Sequence, residues 1–163
     1  MDFAKFLEPI QQGSFAPVYY LYGEESYFLD KITRAIEQHA LADEERAFNQ
    51  EIFYGAEIKA NQLTSAARSY PMMAQRRLII IREAQRMPKA EQEGLLGYVQ
   101  NPVPTTVLVL VYKDKSGVDK RTKLYKALEK NAAVFQAKRV YDNHLPQFIE
   151  TVARARGLQL NQK

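Results

Sequence analysis

Residues Tyr70 to Ala84 read Y-P-M-M-A-Q-R-R-L-I-I-I-R-E-A. The four consecutive aliphatics Leu78 to Ile81 show no polar alternation, which predicts a strand covered on both faces. Pro71 closes the helical pattern that precedes them. Between proline and strand stand Met72 and Met73, then the polar step Ala74-Gln75-Arg76-Arg77. A flexible apolar pair on a turn beside basic residues reads as a docking point. The strand ends on Arg82-Glu83, where a nucleotide hydrolase of parallel α/β architecture carries the acid that holds Mg²⁺. One stretch thus points both to a partner site and to a lost catalytic site.

Outward from this strand, helical and strand-like patterns alternate. Upstream, Phe3, Phe6, Leu7 and Ile10 recur at helical spacing until Gly13. Pro17 to Tyr22 is an apolar and aromatic strand ended by Gly23. A one-striped helix is predicted from Ser26 to Leu41, a loosely alternating strand from Phe48 to Tyr54, and a short helix from Ala60 to Ser69. Downstream come a helix from Lys89 to Gln100, a β-branched strand from Thr106 to Val111, and a helix from Asp119 to Lys130 with Leu124 and Leu128 inward. A strand at Ala133 to Ala137 and a helix at Leu145 to Arg156 follow. Strands separated by helices imply crossovers, so the expected fold is a parallel, five-stranded, doubly wound α/β sheet. Gly157 to Lys163 begins an apolar pattern and stops, which predicts a chain cut short of its next element.

With 163 residues, 46% of them hydrophobic, the chain has the size of one domain with a substantial core. It contains no cysteine, which excludes disulfides, thiolate metal sites and thiol nucleophiles. The first ten residues carry no signal-peptide pattern. The aliphatic runs Leu78–Ile81 and Val107–Val111 are far too short to cross a bilayer, so no membrane role and a cytoplasmic location are expected. A net charge of +4 is a mild basic excess, weaker than the stripe of an autonomous DNA-binding domain. The one charge-dense segment, Lys113 to Lys123, reads as a solvated loop and helix start.

A phosphate loop requires G-x-x-x-x-G-K-[ST] directly after the first strand, because glycine-freed N–H groups wrap the phosphates while lysine meets the terminal one. That position holds Gly23-Glu24-Glu25-Ser-Tyr-Phe-Leu-Asp-Lys31, whose glutamates repel a triphosphate, and no Gly-Lys pair occurs in the chain. Gly23, Glu24, Glu25, Lys31, Arg82 and Glu83 therefore read as a degenerate nucleotide site, with no cofactor expected. Gly94 and Gly97 fall inside a predicted helix and read as packing positions, not as a dinucleotide fingerprint. His39 and His144 lack ligand-spaced acids and read as surface or helix-end residues. Asp43-Glu44-Glu45 and the pair Glu91 and Glu93 read as solvated charge, and Ser26 as a helix cap. No catalytic residue and no metal site is assigned.

Three pieces of the chain, in order, resemble the delta subunit family of the bacterial DNA polymerase III clamp loader. They are F-A-P-V-Y-Y-L-Y-G-E-E-S-Y-F-L-D (Phe15 to Asp30), the Tyr70–Ala84 stretch, and T-V-L-V-L-V-Y (Thr106 to Tyr112) leading to K-R-T-K-L-Y-K-A-L (Lys120 to Leu128). The resemblance implies a RecA-like AAA+ type domain without a functional phosphate loop at residues 1–142. It also implies the start of a helical lid at 143–163. Partners follow by implication: the sliding clamp (beta subunit), the gamma/tau and delta prime subunits, and DNA through the assembled complex. In that family two adjacent apolar residues before the R-L-aliphatic strand grip the clamp. Carried over, these are Met72 and Met73, with Tyr70 and Pro71 in the same patch and Arg76 and Arg77 as flanking contacts.

Residue type alone reads the paired methionines first as core filler. Pro71 and the polar step argue for a surface turn, and the resemblance turns the reading that way. Two rivals are weighed: an AAA+ ATPase, opposed by the missing phosphate loop, and an independent nucleic-acid-binding module. The second would use Lys113 to Lys123 with Arg68, Arg76, Arg77, Arg82 and Arg86.

Overall fold

The computed structural model describes residues 2–114 and 118–138. The predicted helix at 145–156, the lid start and His144 lie outside them. Five strands form one sheet: β1 (Val18–Gly23), β2 (Gln50–Tyr54), β3 (Arg77–Arg82), β4 (Thr106–Lys113) and β5 (Ala133–Ala137). Their order is β2-β3-β4-β1-β5 and every pairing is parallel. The unbroken apolar runs occupy the middle, with Leu78 to Ile81 all fully buried. The loosely alternating β2 is an edge strand, paired only with β3 among the described residues.

Seven helices accompany the described strands: α1 (Phe3–Gln11), α2 (Ser26–Ala40), α3 (Arg46–Asn49), α4 (Ala60–Ala67), α5 (Lys89–Glu93), α6 (Leu96–Gln100) and α7 (Lys123–Asn131). The β1-to-β2 connection runs one way across the sheet, and the later connections run the other way. Because parallel crossovers are right-handed, α2 is placed on one face and the helices after β2 on the opposite face. Side chains alternate accordingly. Tyr19, Leu21, Leu78, Ile80, Val107 and Val109 pack with α1 and α2. Val18, Tyr20, Ile79, Ile81, Leu108 and Leu110 pack with α4, α6 and α7. The reversal falls between β1 and β4, so the crevice typical of such sheets opens beyond Gly23 and Lys113.

Several boundaries differ from the sequence reading. The helix expected at Lys89–Gln100 is two short helices, broken at Gly94-Leu95, where the ladder tightens to a Leu95 N–H···O=C Gln92 bond of 3.1 Å. Gly94 lies against α4, where an added Cβ would stand 2.7 Å from that of Ala60, whereas Gly97 faces open space. Packing thus explains the first glycine only. The helix expected from Asp119 begins at Lys123, because Thr122 caps it through the Tyr125 N–H at 3.1 Å. Asp119 instead closes the preceding turn on Arg121 at 3.0 Å. Residues 46–49 are helical, so the strand expected from Phe48 starts at Gln50.

Two assigned roles also shift. Glu25, not Ser26, caps α2, its carboxylate accepting the Tyr27 N–H at 3.4 Å. Glu91 is more than solvated charge, since it accepts the Ala60 N–H at the start of α4, 2.6 Å away.

Candidate functional site

The turn between α4 and β3 carries the methionines at the N-terminal end of the sheet. Its fastener is Asn49, which is 1% exposed at the end of α3. The Asn49 Oδ1 accepts the Met72 N–H at 2.7 Å, and its Nδ2 donates to the Met72 carbonyl at 2.8 Å and to Glu45 O at 2.9 Å. One amide side chain thus bonds a backbone residue in both directions, as a neighbouring strand would. Beyond this clasp, Met73 takes φ 54°, a left-handed conformation that costs a non-glycine residue about 1–2 kcal/mol. Met73 is 101% exposed, Met72 58% and Tyr70 81%, while Pro71 is half-buried. The core-filler alternative does not describe this pair.

The two arginines that follow are turned into the domain. The Arg76 guanidinium lies 4.7 Å over the Phe15 ring and donates to Ala40 O at 3.4 Å. Arg77 is buried and ion-paired with Glu51 at 3.0 Å.

Among the described residues, the exposed large hydrophobics are Phe48, Ile52, Tyr54, Tyr70, Met72 and Met73. All six belong to two segments, 48–54 and 70–73, which the Asn49–Met72 bonds join at one point. Phe48 and Met72 stand at the N-terminal end of the β2–β3 pair, whereas Tyr54 lies beside Arg82 at its other end. Phe48, Ile52 and Tyr54 were not singled out from sequence. The signal for Ile52 and Tyr54 was the loose alternation of β2, the mark of a strand whose outer side chains have no cover, whereas Phe48 belongs to α3.

The loop after β1 has the opposite character. Gly23 has φ 135°, and a Cβ there would stand 2.1 Å from Ala137 O. That same carbonyl accepts the N–H groups of Glu24 at 3.1 Å and Glu25 at 3.4 Å. Gly23 O in turn accepts the Asp114 N–H at 3.3 Å. The Glu24 and Glu25 N–H groups of this loop are already bonded, and the Glu25 carboxylate holds the Tyr27 N–H at the N-terminus of α2. Lys31 sits 5.7 Å over the Tyr27 ring. Arg82 pairs with Glu37 at 3.6 Å and Lys113 with Asp30 at 3.4 Å, around a polar cleft of about 510 Å³. Glu83, at φ 55°, starts the turn after β3 and bonds Gln85 through its carboxylate.

Tyrosines fill the core next to this loop, with the Tyr22 and Tyr125 hydroxyls 3.3 Å apart. Burial first, then the neighbouring tyrosines, pushes the Tyr20 phenol far above its ordinary range. It stays neutral at any physiological pH.

The remaining candidates do not converge. Arg68 stacks 4.9 Å over Tyr98, and Arg86 lies 4.0 Å from Glu83, so the proposed arginine set is dispersed over intradomain partners. Residues 115–117 of the charge-dense segment lie outside the described ones. His39 is exposed in the last turn of α2. Among the described residues no three His, Cys, Asp or Glu side chains cluster as a metal site, and no helix is long and apolar enough to cross a membrane.

A parallel five-stranded sheet in this order, wound on both faces, defines a RecA-like AAA+ type domain. A DNA polymerase III gamma subunit-related protein of Thermotoga maritima shares the fold at TM-score 0.52 and 14% identity, over 92% of this chain and 50% of that one. A RuvB mutant of the same organism does so at TM-score 0.50 and 15% identity, over 97% and 50%. The Bacillus subtilis DNA clamp loader delta protein superposes far better, at TM-score 0.84 and 30% identity over 95% of this chain and 48% of that one. DNA polymerase III subunit delta of Bacillus subtilis (strain 168) is 32% identical over 153 residues, 89% of this chain and 44% of that protein. Residues 19–138 match the family described as DNA polymerase III, delta subunit. The chain belongs to that family, and it spans less than half the length of these relatives.

Proposed function

We propose that this domain binds the sliding clamp (beta subunit) and helps to open it, as part of a loader that also contains gamma/tau and delta prime subunits. Met72 and Met73 form the tip that enters the clamp, Tyr70 and Pro71 flank it, and Arg76 and Arg77 brace the turn from behind. The observation that carries this reading is the methionine pair in solvent on a strained, buried-asparagine-anchored turn. Strain and fixed geometry in the free protein lower the ordering cost at docking. Two thioether side chains buried on a partner contribute roughly 1.5–3 kcal/mol each before binding costs. Opening the ring requires only that the domain bind the open clamp better than the closed one.

In this reading residues 1–142 are the clamp-binding domain and 143–163 begin a helical lid. The chain performs no catalysis of its own. ATP acts in other subunits, DNA is met through the assembled complex, and the protein works in the cytoplasm. The experiment is the double variant Met72→Ala/Met73→Ala, assayed by surface plasmon resonance against the cognate clamp. Affinity should fall at least about a hundredfold, the equivalent of about 3 kcal/mol, with the melting temperature unchanged. Undiminished affinity in the folded variant would overturn the site.

A further inference from the structure

The methionine turn carries a reactivity that the rest of the described surface lacks. The sequence holds four methionines, no cysteine and no tryptophan, so thioethers are its most readily oxidised side chains. Three of the four fall among the described residues, and the fold treats them unequally. Met87 is 3% exposed, inside the core that α4, α6 and α7 share. Met72 and Met73 stand next to each other in solvent, where a dissolved oxidant meets them first. The cations that follow, Arg76 and Arg77, are engaged inward on Phe15, Ala40 and Glu51 rather than covering the thioethers.

The shape of the turn does not depend on the state of those side chains. Asn49 holds the Met72 N–H and carbonyl, and the thioethers take no part in that clasp. Oxidation therefore changes the surface chemistry of the tip and leaves its backbone in place. Leucine would fill an apolar pocket with nearly the same volume and without the reactivity. Methionine thus brings the tip a property that docking alone does not require.

We propose, on the reading of this pair as the clamp-binding tip, that Met72 and Met73 form a reversible oxidation site at which a peroxide switches docking off. Each sulfur gives an electron pair to one peroxide oxygen and the O–O bond breaks. That oxygen stays on sulfur as a sulfoxide, and the other leaves as water. The sulfur is oxidised by two electrons and the peroxide is reduced by two. A sulfoxide oxygen is a polar acceptor, so burying it in an apolar pocket without a donor opposes docking. Two thiols of a sulfoxide reductase reverse the step, ending as a disulfide while the oxygen departs as water. Met87 keeps its thioether inside the core, so the fold survives the oxidant that disarms the tip.

The test treats this chain alone with hydrogen peroxide, removes the oxidant with catalase, and measures affinity for untreated cognate clamp by surface plasmon resonance. Peptide mass mapping should find sulfoxide at Met72 and Met73 and an unmodified Met87, with the melting temperature unchanged. Clamp affinity should fall at least about tenfold, the scale set by one unsatisfied buried polar group. The two epimer-specific sulfoxide reductases with a dithiol should restore it. Whatever its own affinity, M72L/M73L should bind equally before and after peroxide. An oxidised parent that keeps its affinity, although Met72→Ala/Met73→Ala loses it, would overturn the switch and leave the clamp site standing. An alanine variant that keeps its affinity would overturn the clamp reading and the switch with it. Sulfoxide forming at Met87 as fast as at the pair, or an equal loss on peroxide in M72L/M73L, would also overturn the proposal.

Discussion

The loop after β1 and the turn before β3 stand at opposite ends of one parallel sheet, and both contain a residue at positive φ. In the loop, Gly23 supplies that conformation, the following N–H groups close on Ala137 O, and a carboxylate seals the helix end. In the turn, Met73 supplies it at a steric cost, and apolar side chains stand in water. In the first, the Glu24, Glu25 and Tyr27 N–H groups are met from within the fold. The second has its backbone met, through Asn49, and its side chains unmet. A strained residue that also exposes an apolar side chain is the arrangement that the proposed docking at Met72 and Met73 would use.

The largest expected effect lies in the closed loop. Gly23→Ala forces a Cβ to within 2.1 Å of the Ala137 carbonyl, a backbone atom that cannot swing aside. β1 and β5 must separate locally, and we expect at least about 3 kcal/mol of lost stability. For a domain of this size that lowers the melting temperature by about 6–12 °C. Thermal denaturation by circular dichroism measures it, and a variant that melts with the parent would mean that the loop has slack.

Met73→Gly probes the same backbone conformation in the open turn and should act in the reverse direction. Relief of the left-handed strain raises stability by about 1 kcal/mol. Removing the side chain lowers clamp affinity by about tenfold or more. Gain of stability with loss of binding is the signature of a residue kept for its partner. A glycine variant that melts lower, or that binds the clamp as the parent does, would remove the contrast between the two regions.

The contrast also explains what could be read in the sequence. The buried strands were legible because Leu78–Ile81 and Val107–Val111 admit no other environment, and the missing Gly-Lys pair was legible as composition. The exposure of Met72 and Met73 was legible only through Pro71, the polar step and the resemblance, because Asn49, which anchors the turn, lies 23 positions upstream and acts through tertiary hydrogen bonds. Ile52 and Tyr54 were missed for a related reason. The loose alternation of β2 marks incomplete cover, and only strand order shows that β2 has no outer neighbour among the described strands. The break at Gly94 likewise depends on Ala60, on a helix distant in sequence. Local pattern gave the elements, and long-range pairing gave the site.

The smallest expected effect is a null one, and it tests the closed loop directly. MgATP at about a hundred times the dissociation constant of a working site would stabilise the fold by about 2.7 kcal/mol, a rise of several degrees in melting temperature. Here the Glu24 and Glu25 N–H groups are bonded to Ala137 O, and the Glu25 carboxylate stands where phosphate oxygens would approach the start of α2. Binding would therefore require breaking two hydrogen bonds and displacing an anion before any contact forms, so the shift should stay below about 1 °C. A rise of several degrees would show that the loop opens on demand. Its closure would then be a resting state, and the two ends of the sheet would both be sites.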